Sequence, residues 1–270
     1  MAKNKKEKEK SKKNEKSKEN EKMKEKRQNE KKQQEQRQNN KKVSDRKNKV
    51  EKDILLSIKN ASYRYSDAEA SEYALRDVSY DFERGKVYAI RGRSGTGKTT
   101  LLSLISGLER CTEGSIFFDD KDLKDINLDK YRSSEIGIVF QSYNLLPFMT
   151  ASENIILSMD ASGMKYDNKK AKAIELMAKV GLKESYADRK VLRLSGGEQQ
   201  RVAIARSLSY DPKMIVADEP TGNLDKQTEN EILEIFKGLA HKENKCVIIV
   251  THSPNVCEMV DEIYDLKKVK

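Results

Sequence analysis

The stretch Gly92-Arg93-Ser94-Gly95-Thr96-Gly97-Lys98-Thr99 satisfies the pattern G-x-x-x-x-G-K-[ST] at every fixed position. Glycines so spaced let backbone N–H groups come close to phosphate oxygens. Lys98 adds a compact cation for the β- and γ-phosphates, and the Thr99 hydroxyl can ligate Mg²⁺. The apolar run Val87–Ile90 precedes this loop and the helix-like Leu101-Leu102-Ser103-Leu104-Ile105 follows it. That strand–loop–helix setting is what phosphate binding at a helix N-terminus requires. A chance glycine-rich turn of this pattern arises in roughly one chain of this length in a hundred.

Further along, Met214-Ile215-Val216-Ala217 runs into Asp218-Glu219. Two adjacent acids after a strand are ordinary turn residues in isolation; behind a phosphate loop they acquire roles. Asp218 suits Mg²⁺, a hard cation that takes oxygen ligands, and Glu219 can position or deprotonate an attacking water. Between loop and acids stands Ser195-Gly196-Gly197-Glu198, ahead of the amphipathic Val202, Ala205 and Leu208. Ser-x-x-Glu there is a capping box, so Ser195 is expected to cap a helix. The two glycines clear side chains from that helix N-terminus, where an anion could be received. The chain thus holds a second anion site beyond its own phosphate loop.

These residues need a scaffold. Four apolar runs stop abruptly at polar groups: Val87–Ile90 at the loop, Ile136–Phe140 at Gln141, Met214–Ala217 at Asp218, and Cys246–Val250 at Thr251-His252. Near-continuous apolar strands of this length suit a parallel sheet buried on both faces. Ligands of such sheets sit beyond the carboxyl ends of the strands, so one site along one edge is expected. Ile54–Ile58 and Val78–Phe82 read as further strands. Between Gln141 and Ser195 the pattern turns helical: Ala151–Met159 and Lys169–Val180 have apolar residues at helix-like spacing, with Gly181 as a C-terminal stop. A helical subdomain is therefore expected over about 142–194.

Composition divides the chain unevenly. Residues 1–52 hold 22 Lys/Arg against 10 Asp/Glu, whereas the remaining residues hold 32 against 34. The formal charge of +10 is therefore a property of the tail alone, not of a nucleic-acid-binding globular domain. With only Met1, Ala2, Met23, Val43 and Val50 as aliphatic or sulphur-bearing side chains, the tail cannot bury enough surface to offset its ordering entropy. It is expected to be either disordered or a charge-laced helix. It could serve as a mobile extension, as a polybasic arm near anionic lipid, or, more weakly, as an RNA contact. No run reaches 18 consecutive apolar residues, and the charged N-terminus lacks the apolar stretch of a signal peptide. Cys111, Cys246 and Cys257 show no metal-ligand spacing and are expected to be reduced thiols in a cytosolic protein.

Taken together, the phosphate loop, Leu194-Ser195-Gly196-Gly197-Glu198 and Ala217-Asp218-Glu219-Pro220-Thr221-Gly222-Asn223-Leu224-Asp225 resemble the ATP-binding-cassette (ABC) ATPases over about residues 53–268. The branch they look like contains the lipoprotein-releasing, macrolide-exporting, cell-division and antimicrobial-peptide-resistance ATPases. The resemblance implies an α/β fold. It comprises a P-loop NTPase core with a mainly parallel sheet, an N-terminal antiparallel β subdomain and the inserted helical subdomain, behind the charged tail. It implies ATP and Mg²⁺, and a head-to-tail homodimer in which Ser195, Gly196, Gly197 and Glu198 of one subunit complete the nucleotide site of the other. Glu219 matches the catalytic carboxylate and His252 the histidine that contacts the γ-phosphate. Gln141 matches the glutamine that touches Mg²⁺ or water, and Asp225 the loop that couples the two sites. Arg93, Ser94, Gly95, Thr96 and Thr100 complete the phosphate cradle, with Thr99-Thr100 standing where Ser-Thr is commoner. Tyr65, 27 residues before Gly92, is the choice for stacking on adenine, with Tyr63 the neighbouring alternative.

The partner implied is a separate membrane permease, which places the chain peripherally on the cytoplasmic face of the cell membrane. An anionic lipid surface could contact the tail, and no nucleic acid is expected. The competing class is a soluble ABC ATPase anchored by its basic tail to ribosomes, nucleic acid or an assembly scaffold. Against it, only one cassette is present, and Lys98 and Ser195 are 97 residues apart, too close for an intervening long coiled coil. A nucleotide-gated clamp with little turnover is a third option, opposed by the intact Glu219 and His252.

Overall fold

Four strands that are apolar along nearly their whole length, rather than at every second position, form the body of the central sheet, with a fifth at its edge. The computed structural model describes residues 53–66 and 72–269, within the unit Asp53–Lys270. The expectations for residues 1–52 lie outside the described residues. The chain runs β1 (Ile54–Tyr63), β2 (Leu75–Glu83), β3 (Val87–Arg91), α1 (Lys98–Ile105), β4 (Glu113–Phe118), β5 (Lys121–Asp122), α2 (Leu128–Ser134) and β6 (Ile136–Val139). It continues through α3 (Ala151–Ala161), α4 (Lys169–Lys179), α5 (Gly196–Ser207), β7 (Met214–Asp218), α6 (Lys226–His241), β8 (Cys246–Thr251), α7 (Pro254–Met259) and β9 (Glu262–Asp265).

The five strands β6-β7-β8-β3-β9 pair in that order, all in parallel. Successive side chains of a strand point to opposite faces, and here each face has its own core. From β8, Val247 and Ile249 join one apolar cluster while Cys246, Ile248 and Val250 join the other; from β7, Ile215 and Ala217 part from Met214 and Val216 in the same way. The second cluster also takes Leu101, Leu104 and Ile105 of α1, and Leu56, Ile58 and Phe82 of the four-stranded antiparallel sheet β2-β1-β4-β5. An α/β P-loop core with an antiparallel sheet is thus the observed architecture.

The first cluster holds the helices between Gln141 and Ser195. Ala151, Ile155 and Met159 of α3 and Ala173, Leu176 and Met177 of α4 meet Val202 and Ala205 of α5 and Phe236 of α6. Their spacing of three and four residues places each set on one helix face. Thr150 and Glu153 close a reciprocal capping box on α3 (2.7 and 3.2 Å), and Asn168 caps α4 by accepting from the Ala171 N–H. Helix α4 stops at Lys179, with Val180 as its cap and Gly181 at φ +76°, as the glycine stop predicts. Among the described residues, no helix is long and apolar enough to cross a membrane. The three cysteines are unbridged, Cys246 and Cys257 being buried and Cys111 half-buried.

Candidate active site

The sheet register brings the reactive residues to one edge. Arg91, which leads into the phosphate loop, pairs with Thr251, and Asp218 pairs with Val250, so β3, β8 and β7 end side by side. Between β3 and α1 the loop turns through Gly95 and Gly97, both with positive φ. A Cβ on Gly97 would lie 2.5 Å from the Ala74 carbonyl and 2.7 Å from Leu75 Cδ2, so only glycine fits that approach. Thr96 Oγ1 donates to the Arg93 carbonyl (2.9 Å), while Lys98 Nζ donates to the carbonyls of Gly92 (2.8 Å) and Arg93 (3.1 Å). The lysine is thereby folded over its own loop, where an anion would meet it. Ser94 and Thr99 are exposed on this turn, and Thr100 is buried behind it.

Of the two tyrosines offered for adenine, Tyr63 is 8% exposed and belongs to the core, whereas Tyr65 is 50% exposed. Their rings meet edge-on at 5.0 Å, and the Tyr65 hydroxyl lies 3.0 Å from Thr100 Oγ1. That contact orients the Tyr65 ring beside the first turn of α1.

Asp218 and Glu219 differ in environment although adjacent. Burial pushes the Asp218 carboxyl above the usual aspartate range; the Glu219 charge pushes it the same way, and the Lys98 ammonium opposes both. Glu219 leaves the strand with φ +43°, a left-handed conformation rare for a long side chain. One carboxylate oxygen accepts from Thr251 Oγ1 at 3.0 Å, and the other lies 2.6 Å from His252 Nδ1. Gln141 comes to the same place, because a Cβ on Gly222 would meet its Nε2 at 3.2 Å and the Gly222 N–H donates to the Glu219 carbonyl (3.2 Å). Glu219 and His252 are therefore in direct contact, with the Gln141 amide beside the Gly222 turn.

Ser195 through Glu198 and Asp225 form a separate group. Ser195 Oγ accepts from the Glu198 N–H (3.3 Å), and Glu198 Oε2 accepts from the Ser195 N–H (2.7 Å), closing the capping box on α5. Burial raises the Glu198 pKa, but the hydrogen bonds from Ser195 and Tyr186 outweigh it and hold the carboxyl below the usual glutamate range. A Cβ on Gly196 would lie 3.0 Å from the Tyr143 hydroxyl, and one on Gly197 would lie 2.5 Å from Thr228 Cγ2. Asp225 caps α6, accepting from the Thr228 N–H (3.0 Å) and Thr228 Oγ1 (2.6 Å). This group packs on α6 and on the segment after Gln141.

Several contributors escaped the sequence reading. Thr251 stood at the end of an apolar run, where its hydroxyl could have been noticed. Arg206 of α5 donates to the carbonyls of Tyr143 (2.9 Å) and Asn144, two residues at positive φ just after Gln141. Its burial lowers the guanidinium pKa. Thr221, Glu229 and Ser253 form a further set of contacts, in which both hydroxyls donate to Glu229 Oε1 at 3.0 Å. No local pattern announces these long-range pairs.

The oxygen donors here suit Mg²⁺. One carboxylate (Asp218), one hydroxyl (Thr99) and one amide oxygen (Gln141) fit an ion that keeps waters and phosphate oxygens instead of demanding an all-protein cage.

Comparison with known proteins gives one consistent picture. A family model described as ABC transporter matches residues 75–222. The ABC transporter ATP-binding protein YclH of Bacillus subtilis is 47% identical over 207 residues, covering 77% of this chain and 91% of its own. LolD, the lipoprotein-releasing system ATP-binding protein of Francisella tularensis, is 39% identical over 79% of this chain and 94% of its own. Among solved structures, the dimeric ABC transporter cassette MJ0796, a protein of Methanocaldococcus jannaschii, aligns at 37% identity with a TM-score of 0.72, covering 79% of this chain and 94% of that one. A second MJ0796 structure, equally similar, is a post-hydrolysis dimer bound to ADP and Pi.

Proposed function

This chain belongs to the ABC transporter family of ATPases, and from that premise we propose that it is the ATP-hydrolysing subunit of a membrane complex, working as a head-to-tail dimer that drives a separate permease. The loop N–H groups and the α1 N-terminus receive the phosphates of ATP, and Lys98 exchanges the carbonyls of Gly92 and Arg93 for phosphate oxygens. Tyr65 offers its open face to the adenine. Thr99, Asp218 and Gln141 would hold Mg²⁺, which when bound would neutralise the phosphate charge. Glu219 accepts a proton from the attacking water, and His252 keeps it aligned while reaching the γ-phosphate with its free ring nitrogen.

The Ser195-Gly196-Gly197 turn completes the second subunit's site: it packs against α6 and the segment after Gln141, and the related MJ0796 cassette is dimeric. The observation that carries the permease reading is an exposed apolar patch. Phe148 is 83% exposed, Leu192 67% and Leu146 45%. Their strips adjoin through the bond from the Val191 N–H to the Met149 carbonyl (3.2 Å). Apolar side chains gathered this way mark a protein contact, and this one lies directly after Gln141, so a partner seated there senses the hydrolytic site.

The chain would sit on the cytoplasmic face of the membrane, and the basic residues 1–52 would add attraction to an anionic lipid surface. The test is affinity purification of the full chain from gently solubilised membranes, with and without residues 1–52. A stoichiometric polytopic membrane protein that is lost on Phe148→Asp supports the reading. Recovery with ribosomes or nucleic acid, abolished by removing the tail, would overturn it.

A further inference from the structure

Glu229 lies one turn into α6, behind the Asp225 cap. One of its carboxylate oxygens, Oε1, accepts from two hydroxyls at once, Thr221 Oγ1 and Ser253 Oγ, each at 3.0 Å. Thr221 is 4% exposed and follows Glu219 by two residues; Ser253 follows His252. The relay continues inward: the Ser253 N–H donates to Thr251 Oγ1 (3.0 Å), and Thr251 Oγ1 donates to Glu219 Oε2 (3.0 Å). Beside it, Asn255 Nδ2 donates to Asn230 Oδ1 (2.9 Å), a second strut between α7 and α6.

We propose that Glu229 is a positioning residue for hydrolysis, its carboxylate tying the loop after Glu219 to the loop that carries His252. The inference rests on the reading of Glu219 and His252 given above. Two hydroxyl donors converging on one oxygen need an acceptor with lone pairs to spare, which a carboxylate supplies. The helix does not depend on this carboxylate. Asp225 already caps α6, and Ile232, Leu233, Phe236 and Leu239 bury its apolar face. What the carboxylate fixes is the mutual placement of two loops whose tips, Glu219 and His252, must stay 2.6 Å apart. Letting them drift separates the proton acceptor from its aligning partner without disturbing the nucleotide cradle.

The experiment measures kcat, KM for Mg-ATP and Tm in the full chain for Glu229→Ala, Glu229→Gln, Thr221→Val and the Glu229→Ala/Thr221→Val pair. Glu229→Ala is expected to lower kcat about tenfold with KM unchanged, within the range of coupling between residues of one network. Glu229→Gln retains an accepting oxygen and is expected to recover most of the loss. The double variant should be no slower than Glu229→Ala alone, because one contact cannot be lost twice. Wild-type kcat in Glu229→Ala, a glutamine variant as slow as the alanine one, or losses that simply multiply would each overturn the proposal. If Glu229→Ala does not fold, the comparison of Thr221→Val (slowed) with Glu229→Gln (near wild type) decides alone. Glu219→Gln is assayed alongside. If it turns over normally, the hydrolytic reading fails; if it is inactive while Glu229→Ala is normal, only the role of Glu229 fails.

Discussion

Replacing Glu219 by glutamine removes a proton acceptor while leaving its surroundings nearly intact. The carboxylate accepts from Thr251 Oγ1 at 3.0 Å and meets His252 Nδ1 at 2.6 Å. A glutamine whose carbonyl oxygen faces Thr251 and whose amide faces His252 keeps both contacts, donating to His252 Nδ1. The backbone at φ +43° treats the two side chains alike. Folding stability should therefore change by no more than about 1 kcal/mol, the net worth of one altered hydrogen bond. Turnover is a different matter, since a positioned general base contributes roughly 10²–10⁴-fold, or about 2.7–5.5 kcal/mol of barrier. Single-turnover phosphate release, fluorescent-ATP binding and sedimentation of the ATP-bound dimer separate the two effects. The expected outcome is tight ATP binding and a persistent dimer with turnover reduced at least 100-fold (about 2.7 kcal/mol). Wild-type turnover would refute the role of Glu219. Loss of ATP binding together with turnover would show that the residue holds the site together and does not act on water.

Tyr65→Ala should weaken ATP binding by about 1–3 kcal/mol, roughly 5- to 150-fold in Kd, whereas Tyr65→Phe keeps the stack and forfeits only the Thr100 contact; an alanine variant of normal affinity would place the base elsewhere. For Asp218→Asn the sign follows from burial, which raises the folded pKa above the ordinary 3.8. The native state then binds more protons than the unfolded chain, so stability falls as pH rises from about 4 through the raised value. The asparagine variant escapes that loss, so its Tm should exceed wild type at neutral pH, with the gap closing in acid, while Mg²⁺-dependent turnover disappears; a lower Tm at pH 7 contradicts this. Gly197→Ala forces a methyl to within 2.5 Å of Thr228 Cγ2, against a side chain pinned to Asp225. Overpacking of that kind costs about 1–3 kcal/mol, a few degrees of Tm per kcal/mol at this size. ATP-driven dimerisation should suffer while monomer ATP binding persists, and calorimetry with sedimentation checks both.

The strands were legible where burial on both faces left its mark. Val87–Arg91, Ile136–Val139, Met214–Asp218 and Cys246–Thr251 each end within one residue of the expected position. The strand β4 went unread because it begins Glu113-Gly114-Ser115, and β9 because Glu262-Ile263-Tyr264-Asp265 is an edge strand that alternates half-buried and exposed residues. Gln141, Glu219 and His252 could be grouped beforehand because parallel strands deliver their carboxyl ends to one edge. Glu229, Thr221 and Ser253 could not, since eight and 24 residues separate the helical Glu229 from its two loop partners and no periodicity links them. Spacing selected Tyr65 over Tyr63, and their exposure, 50% against 8%, agrees with that choice.

The left-handed backbone at Glu219 has a consequence for anyone improving this enzyme by selection. Holding a long side chain at φ +43° costs on the order of 1–3 kcal/mol, and asparagine or glycine would relieve it. A screen that rewards heat resistance or expression alone is therefore rewarded for discarding the very residue that would do the chemistry. Stability and turnover are opposed objectives at this position, and a library judged on the first should accumulate robust, inert proteins from here outward.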